Sequence, residues 1–231
     1  MRVHHLFTDR HGGASPRPYR SLNLAYHTGD QPAIVTYNRQ RLCKRHKIPP
    51  TVWMDQVHGD RIVTVDTPSP DTIPACDGIV TDRPGLALAV MVADCIPILI
   101  ADERRGVIAA VHAGRNGTML GIAAKAITTM GERFGSDPDG MRVWLGPSIH
   151  ACCYEVSPLL ARLATERFGP AYVNGRYLDL PAINRDTLQR LGVPSDRIHI
   201  SPICTGCDKN YFSYRKEGVT GRFAGIIWIQ P

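Results

Sequence analysis

The chain has 231 residues, 43% of them hydrophobic and 21% charged, and a formal net charge of +6. This composition is that of a globular protein and excludes extended disorder. Its longest apolar run, residues 86–93, is far shorter than the roughly 20 residues of a membrane-spanning helix, and no apolar segment of signal-peptide length follows Met1, so we predict a cytoplasmic protein without a membrane partner.

Turn residues divide the chain into many short elements, beginning with a loop rich in Gly, Pro and Arg over residues 11–21. In chain order we predict helix 32–47, strands 52–57 and 61–65 about a turn, strand 77–82, a buried strand pair within 86–101, strand 107–111, helix 119–130, strand 143–145, helices 158–168 and 180–191, and strands 198–201, 211–214 and 222–229. No linker or repeat interrupts this pattern. It predicts an α/β (α+β) fold that forms one domain over residues 1–231.

Cysteine and histidine are the residue types that need an explanation, because the chain has seven of the first and nine of the second. An odd number of cysteines excludes a fully paired disulfide framework. Without an export signal, we expect reduced thiols or metal ligands.

Three of these residues lie at the predicted ends of strands. Asp94-Cys95 interrupts an apolar stretch, where an ionisable pair is costly unless it is satisfied or used. His112 ends another apolar run, and His58 lies in a turn. Each has an ordinary structural interpretation when taken alone: a buried thiol beside a turn-capping Asp, a strand-end histidine and a turn histidine.

Taken together, His58, Cys95 and His112 suggest one site. Two imidazoles and a thiolate with an open fourth position are typical of a catalytic zinc centre, and the same donors also suit copper. Separations of 37 and 17 residues mean that only the fold can bring the three together. A multicopper oxidase would need more histidines, many of them in His-x-His pairs, and this chain has none of those pairs.

The remaining cysteines give weaker signals. Cys204 and Cys207 form a Cys-x-x-Cys motif, but no second motif of this kind completes a zinc ribbon, so we expect two reduced thiols near a turn. Cys152 and Cys153 are expected to be buried, with a role in packing.

Two further segments have the character of anion sites. The turn over residues 114–117 opens a helix, whose free N–H groups and dipole favour an anion, and Arg115 adds charge. The basic loop near Arg10 is expected to be solvated, because no nucleic-acid-binding module is recognisable, so we predict no nucleic-acid partner.

Several short motifs occur in a specific order over nearly the whole chain. They are Ser21-Leu22-Asn23-Leu24, His27-Thr28-Gly29-Asp30, Gln56-Val57-His58-Gly59, Asp77-Gly78, Ala93-Asp94-Cys95-Ile96-Pro97, His112-Ala113-Gly114, Gly146-Pro147-Ser148-Ile149, Tyr154-Glu155-Val156, Phe212-Ser213-Tyr214-Arg215 and Gly221-Arg222. In this order the chain resembles the YfiH/YlmD family, the laccase-domain or polyphenol oxidase-like proteins associated with purine nucleoside phosphorylase and adenosine deaminase activity.

The resemblance implies a compact sandwich of mixed β-sheets flanked by helices. It implies that His58, Cys95 and His112 bind one zinc, with copper as the alternative metal. Purine nucleoside and phosphate would be the substrates, and the protein a monomer or small homo-oligomer. By their position in the matching motifs, the residues assigned to substrate are Asn23, Gln56, Arg39 and Arg115, and Asp94 is assigned to orienting a ligand or moving a proton.

The chain departs from the family pattern at two places. The family has Trp-Arg-Gly after His-Ala-Gly, whereas here Arg115-Asn116-Gly117 follows, so the aromatic residue is lost and the arginine moves by one position. His150 stands where the family has Gly.

Three other functions remain open at this stage. One is a copper-dependent phenol oxidase. Another is a cysteine hydrolase acting in peptidoglycan editing, with Cys95 as nucleophile and His112 as base. The last is a nucleic-acid binder that rests on the net charge alone.

Overall fold

A computed structural model describes residues 2–67 and 72–230 of the chain. The helices are α1 (Pro32–His46), α2 (Arg115–Leu120), α3 (Ile122–Phe134), α4 (Pro158–Phe168), α5 (Leu180–Arg190) and α6 (Tyr214–Glu217). The strands are β1 (Arg2–Phe7), β2 (Thr51–Val52), β3 (Ile62–Thr64), β4 (Gly78–Thr81), β5 (Ala87–Val92), β6 (Ile96–Asp102), β7 (Val107–Ala113), β8 (Met141–Leu145), β9 (Val173–Asn174), β10 (Tyr177–Leu178), β11 (Ile198–Ile200) and β12 (Phe223–Gln230).

Two mixed sheets form the centre of the fold. The four-stranded sheet has the order β1-β12-β5-β2, and the six-stranded sheet has the order β11-β8-β6-β7-β4-β3. In the six-stranded sheet, β7 is antiparallel to both of its neighbours, β4 and β6, and the β3–β4 pair is parallel. The short strands β9 and β10 form a separate antiparallel ribbon.

The layers follow from the alternation of side chains along the central strands. In β6, Ile98 and Ile100 pack towards α3, α4 and α5, whereas Leu99 and Ala101 pack towards the four-stranded sheet. The other face of that sheet packs against α1 through Leu42. The protein is therefore a sandwich of two sheets between helices, which confirms the predicted fold class.

The apolar stretch over residues 86–101 contains two strands, as predicted, but they belong to different sheets. The chain leaves β5 of one sheet and enters β6 of the other through Asp94 and Cys95. Asp94 has φ = 89°, in the left-handed region that a non-glycine residue seldom occupies. The polar interruption in the sequence thus marks the point where the chain changes sheets.

The predicted helices are present, and α4 begins as expected, with the Ser157 hydroxyl accepting a hydrogen bond from the N–H of Leu160. Strands 52–57 and 61–65 are shorter than predicted and pair in separate sheets instead of with each other. The strand predicted at 211–214 is wrong, because this segment is irregular and leads into α6, where the Ser213 hydroxyl caps the first turn.

Besides α6, two pieces of regular β-structure were not predicted from the sequence. One is β1, an edge strand that pairs along its whole length with β12. Its His4 and His5 interrupt the apolar pattern by which a strand is recognised. The other is the β9–β10 ribbon. Among the described residues, no helix combines the length and apolar character needed to cross a bilayer.

Candidate active site and metal centre

The candidate site lies at one end of the six-stranded sheet. Asp77 and Cys95 immediately precede β4 and β6, and His58 lies four residues before β3. His112 is near the end of β7, which runs antiparallel to β4 and β6, so its end meets their beginnings. Strand direction therefore brings residues far apart in sequence to a common rim.

The three predicted ligands converge there. His58, Cys95 and His112 each offer a ligand atom, and these atoms lie within 4.8 Å of one another. The two imidazole rings have centroids 4.8 Å apart and planes inclined by 70°. This arrangement lets both rings direct a nitrogen towards one ion beside the thiol.

Asp77 orients this centre from behind. Its buried carboxylate accepts a hydrogen bond of 2.7 Å from Nδ1 of His112, which leaves Nε2 of that ring to act as a ligand. The same carboxylate accepts from the backbone N–H groups of Val57, His58 and Gly59 at 2.7–3.2 Å. One side chain thus holds both histidines, including His58 with its φ of 59°.

The ionisation of Cys95 and His112 is linked. Burial raises the pKa of the Cys95 thiol, but His112 and then His58 outweigh it, and the net pKa falls to about 6. Burial lowers the pKa of His112, but Cys95 and Asp77 raise it by more, so the net pKa rises to about 9. The thiolate that a metal requires is therefore the favoured form at neutral pH.

Gly114 permits the close approach of β7 to the thiol. A Cβ atom at this position would lie 2.8 Å from Sγ of Cys95 and 3.4 Å from Nδ1 of His58. A side chain here would occupy space next to both ligands.

A cavity of about 670 Å³ opens over the three ligands. This volume is typical of a small-molecule binding site. The predicted residues Gln56, Asp94 and Arg115 line it, and so do residues that were not predicted: His27, Asn116, Tyr154, Tyr214, Arg215 and Arg222.

Three arginines make the cavity a favourable place for an anion. Arg115 lies on the first turn of α2, Arg215 stacks over the Tyr154 ring at 5.1 Å, and Arg222 lies 5.8 Å from the Tyr214 ring centroid. Burial lowers the pKa of the Arg222 guanidinium below its usual range, but an arginine side chain starts so far above neutral pH that the group stays charged.

Asp94 and Gln56 line the cavity but use their polar atoms within the protein. The Asp94 carboxylate accepts from the hydroxyls of Thr205 and Ser213, each at 2.7 Å, and from the N–H of Arg215 at 2.6 Å. Gln56 makes two hydrogen bonds with the backbone of Met91. This bonding favours a positioning role for both over direct proton transfer.

The structure does not bring Asn23 and Arg39 to the cavity wall. Asn23 is fully buried and bonds to Ala25, Thr28, Asp30 and the N–H of Arg222. The Arg39 guanidinium is stacked on the rings of Tyr26 and Trp53. Asn23 therefore holds the backbone of Arg222, which lines the cavity. Arg39 packs against aromatic rings that do not line it.

Comparison with known proteins decides the family. The family described as multi-copper polyphenol oxidoreductase laccase matches residues 4–230. The chain belongs to this family. A relative from Streptomyces coelicolor named purine nucleoside phosphorylase is 42% identical over 98% of this chain and 96% of its own length. The YlmD protein of Geobacillus stearothermophilus, also named purine nucleoside phosphorylase, is 34% identical over 95% of this chain and 88% of its own.

Solved structures of the family agree with the fold. The crystal structure of YlmD from Geobacillus stearothermophilus has a TM-score of 0.94 at 32% identity, covering 99% of this chain and 92% of that one. That of YfiH from Bacillus licheniformis has a TM-score of 0.90 at 32% identity, covering 99% and 93%. The resemblance to the YfiH/YlmD family inferred from the motifs is thereby confirmed.

The family motifs contained a signal for the residues that were missed. Asp77, Tyr154, Arg215 and Arg222 all lie in motifs that supported the resemblance, but nothing in their spacing predicted that Asp77 lies behind the histidines or that the other three line one cavity. The sequence indicated these residues only indirectly, because they are polar or aromatic and lie at the ends of segments that are far apart along the chain.

Proposed function

We propose that this chain is a zinc-dependent purine nucleoside phosphorylase, acting on nucleosides of the adenosine, inosine, guanosine and methylthioadenosine class, with hydrolytic deamination of adenosine as a second activity. The observation that carries the proposal is one cavity that joins a His58–Cys95–His112 centre to Arg115, Arg215 and Arg222. The names of the relatives support the phosphorylase activity.

The donor set fits zinc. Two imidazoles and one thiolate leave a fourth position open, as in catalytic zinc sites, and Asp77 fixes the tautomer of His112. When bound there, zinc supplies Lewis acidity, the chemistry that activates water for attack at C6 of an adenine.

The arginines would bind the phosphate that phosphorolysis consumes. Among the described residues, Arg215 and Arg222 use Nη1 for backbone carbonyl groups, so Nε and Nη2 of each remain for an anion. A guanidinium offers two parallel donors that match a phosphate edge. Phosphate held there would attack C1′ of the ribose as the bond from C1′ to the purine nitrogen breaks.

The purine would lie among Tyr154, Tyr214 and His27. Burial raises the pKa of the Tyr154 hydroxyl, which therefore stays protonated and can donate a hydrogen bond. Burial lowers the pKa of His27, so its neutral ring has one donor and one acceptor for the polar edge of a base.

The test is an assay of metal-loaded protein with inosine or adenosine, with and without inorganic phosphate. We expect free purine and ribose 1-phosphate only when phosphate is present, and inosine from adenosine without it. Cys95→Ser should lose the metal and both activities, whereas Cys43→Ser, a half-buried thiol outside the centre, should keep them. Folded, zinc-loaded protein that releases no purine contradicts the phosphorylase proposal.

One observation favours a second candidate function. Cys95, His112 and Asp77 are also arranged as a nucleophile, a base and an orienting carboxylate, and the thiol has a pKa of about 6. A cysteine hydrolase of this kind, with an amide substrate such as peptidoglycan, needs no metal. Chelators would silence the zinc phosphorylase and spare the hydrolase.

A multicopper oxidase is less consistent with the site. Within residues 2–67 and 72–230, the groups able to hold a metal are the His58–Cys95–His112 centre and a set of four cysteines, and neither is a multi-histidine copper cluster. Copper in the first of them would be a single ion, and copper-loaded protein would show it by its colour.

A further inference from the structure

Four cysteines that the sequence assigned to separate places converge in the fold. Cys152, Cys153, Cys204 and Cys207 each offer an Sγ atom, and the four atoms lie within 4.8 Å of one another. All four are free thiols. The expectation that Cys152 and Cys153 are buried packing residues is wrong, because Cys152 is exposed and Cys153 is half-buried, whereas Cys204 and Cys207 are free thiols at a turn, as expected.

The spacing of the sulfurs is that of a metal site. Sγ of Cys207 lies 3.7 Å from Sγ of Cys152 and 3.4 Å from Sγ of Cys153. A tetrahedral ion with bonds of about 2.3 Å to sulfur has edges of about 3.8 Å between the sulfurs. A disulfide would need about 2.05 Å, so this arrangement fits four ligands around one ion better than paired sulfurs.

The backbone is shaped for this cluster. Residues 204–207 form a tight turn in which the N–H of Cys207 donates to the carbonyl of Cys204. A Cβ on Gly206 would lie 2.8 Å from Cβ of Cys153, so only glycine lets the two segments approach this closely. The N–H of His150 donates to Sγ of Cys204 at 3.4 Å, where it would stabilise negative charge.

The adjacent pair Cys152-Cys153 supplies the second pair of ligands that a zinc site with the Cys-x-x-Cys motif would need. A lone Cys-x-x-Cys is half of a four-cysteine site. The other half comes from a segment about fifty residues earlier, where the two cysteines are adjacent and do not form a Cys-x-x-Cys motif. His150, which departs from the family pattern, contributes its backbone to the same turn, and Lys209 adds a positive charge at the rim.

We propose that Cys152, Cys153, Cys204 and Cys207 bind a second zinc ion, which has a structural role and is distinct from the ion of the His58–Cys95–His112 centre. All four ligands come from the protein, so the site has no open position for substrate. Four Zn–S bonds form as the protonated thiols release their protons to solvent, with no change in oxidation state.

The consequence is that the second ion would connect two segments that form walls of the cavity. The segment that carries Cys152 and Cys153 continues to Tyr154, and the segment that carries Cys204 and Cys207 continues to Ser213 and Arg215, which are bonded to Asp94. An ion that joins the two segments would fix Tyr154 and Arg215 relative to each other.

The first test is the metal content of the full chain, measured by mass spectrometry. We expect about two zinc ions per chain in the wild type and about one in both Cys207→Ser and Cys95→Ser, since each variant loses a different ion. Cys43→Ser is the matched control and should keep both. One zinc in the wild type that persists in Cys207→Ser overturns the proposal, as does a mass lower by two hydrogens for a disulfide among the four cysteines.

A spectroscopic test does not depend on a variant folding. Cobalt(II) in place of zinc gives thiolate-to-metal absorption that grows with the number of Co–S bonds. Wild-type protein should show about five times the absorption per chain expected from the single Cys95 ligand, because four bonds join the one. Absorption equal to one bond overturns the proposal. Purified protein that is red, with iron in place of the second zinc, overturns the choice of metal.

These outcomes are independent of the proposed activity. Loss of the second ion is read from metal content and absorption, so a protein that binds two ions but shows no phosphorolysis would contradict the proposed function alone.

Discussion

At the scale of single residues, Asp77 connects both histidines of the site, although it was assigned no role from the sequence. Its carboxylate bonds to Nδ1 of His112 and to three consecutive N–H groups in the His58 turn. A metal ligand whose second nitrogen is anchored in this way has a fixed tautomer and orientation.

We therefore expect Asp77→Asn to weaken zinc binding at this centre by about 10- to 100-fold, because the amide cannot accept all of these hydrogen bonds. Competition with a chromophoric chelator measures the affinity. Asp196→Asn, at an exposed position, is the control. Unchanged affinity in Asp77→Asn would show that the carboxylate does not orient the ligands.

Gly114 gives a second prediction at this scale. Its backbone φ of −77° is open to any residue, so Gly114→Ala tests the close approach to Cys95 and His58 without backbone strain. The added methyl group, 2.8 Å from Sγ, should displace the thiolate and lower zinc occupancy at this centre while the fold persists. Metal content and circular dichroism measure the two effects. Gly131→Ala, in α3, should leave zinc bound, and full occupancy in Gly114→Ala would contradict the packing argument.

At the scale of elements, the link between β5 and β6 controls the site. The chain changes sheets at Asp94-Cys95, and the same Asp94 holds the segment that runs from Thr205 to Arg215. The proposed metal ligand Cys95 and the proposed anion-binding Arg215 are thus attached to one turn between two strands.

Asp94→Ala should lower the free energy of unfolding by about 3 kcal/mol or more, because buried hydroxyls of Thr205 and Ser213 and the N–H of Arg215 lose their acceptor. Urea denaturation measures this loss. Asp94→Asn should cost less, since its carbonyl oxygen still accepts, and Asp196→Ala should cost little. A stability equal to the wild type in Asp94→Ala would contradict the proposed positioning role.

At the scale of the whole molecule, two sheets share one buried layer. The positively charged side chains are unevenly distributed over the surface of the protein. Arg10, in the basic N-terminal loop, pairs with Glu217 and lies over the Phe212 ring, whereas Arg115, Arg215 and Arg222 line the cavity. The net charge of +6 therefore includes a local concentration where a phosphate would bind.

Leu99 tests the shared layer, since its fully buried side chain packs between the sheets. Leu99→Ala should reduce the free energy of unfolding by about 2–5 kcal/mol, through lost burial and a residual cavity. Thermal unfolding should show a Tm lower by roughly 4–20 °C. Leu159→Ala, on an exposed face of α4, is the control, and an equal effect of the two would contradict the packing of the sheets.

The amino-acid sequence determined by itself those features that depend on local pattern. The helix α4 follows from Ser157-Pro158 and its periodicity, and the doubly buried strands β5, β6 and β7 follow from apolar runs too short for anything else. The three proposed metal ligands were predicted together, because two imidazoles and a thiolate at strand ends match the donor set of a catalytic zinc centre.

The tertiary structure alone decided what depends on strand direction and on contacts between distant segments. Asp77 became an orienting residue because β4 and β7 are antiparallel, which places the beginning of one beside the end of the other. Cys152 and Cys153 meet Cys204 and Cys207 for a similar reason, since Ser148 pairs with Cys204 in a parallel bridge. Periodicity records which face of a strand is buried, but not which strand lies next to it, and the second cysteine site depends on that neighbour.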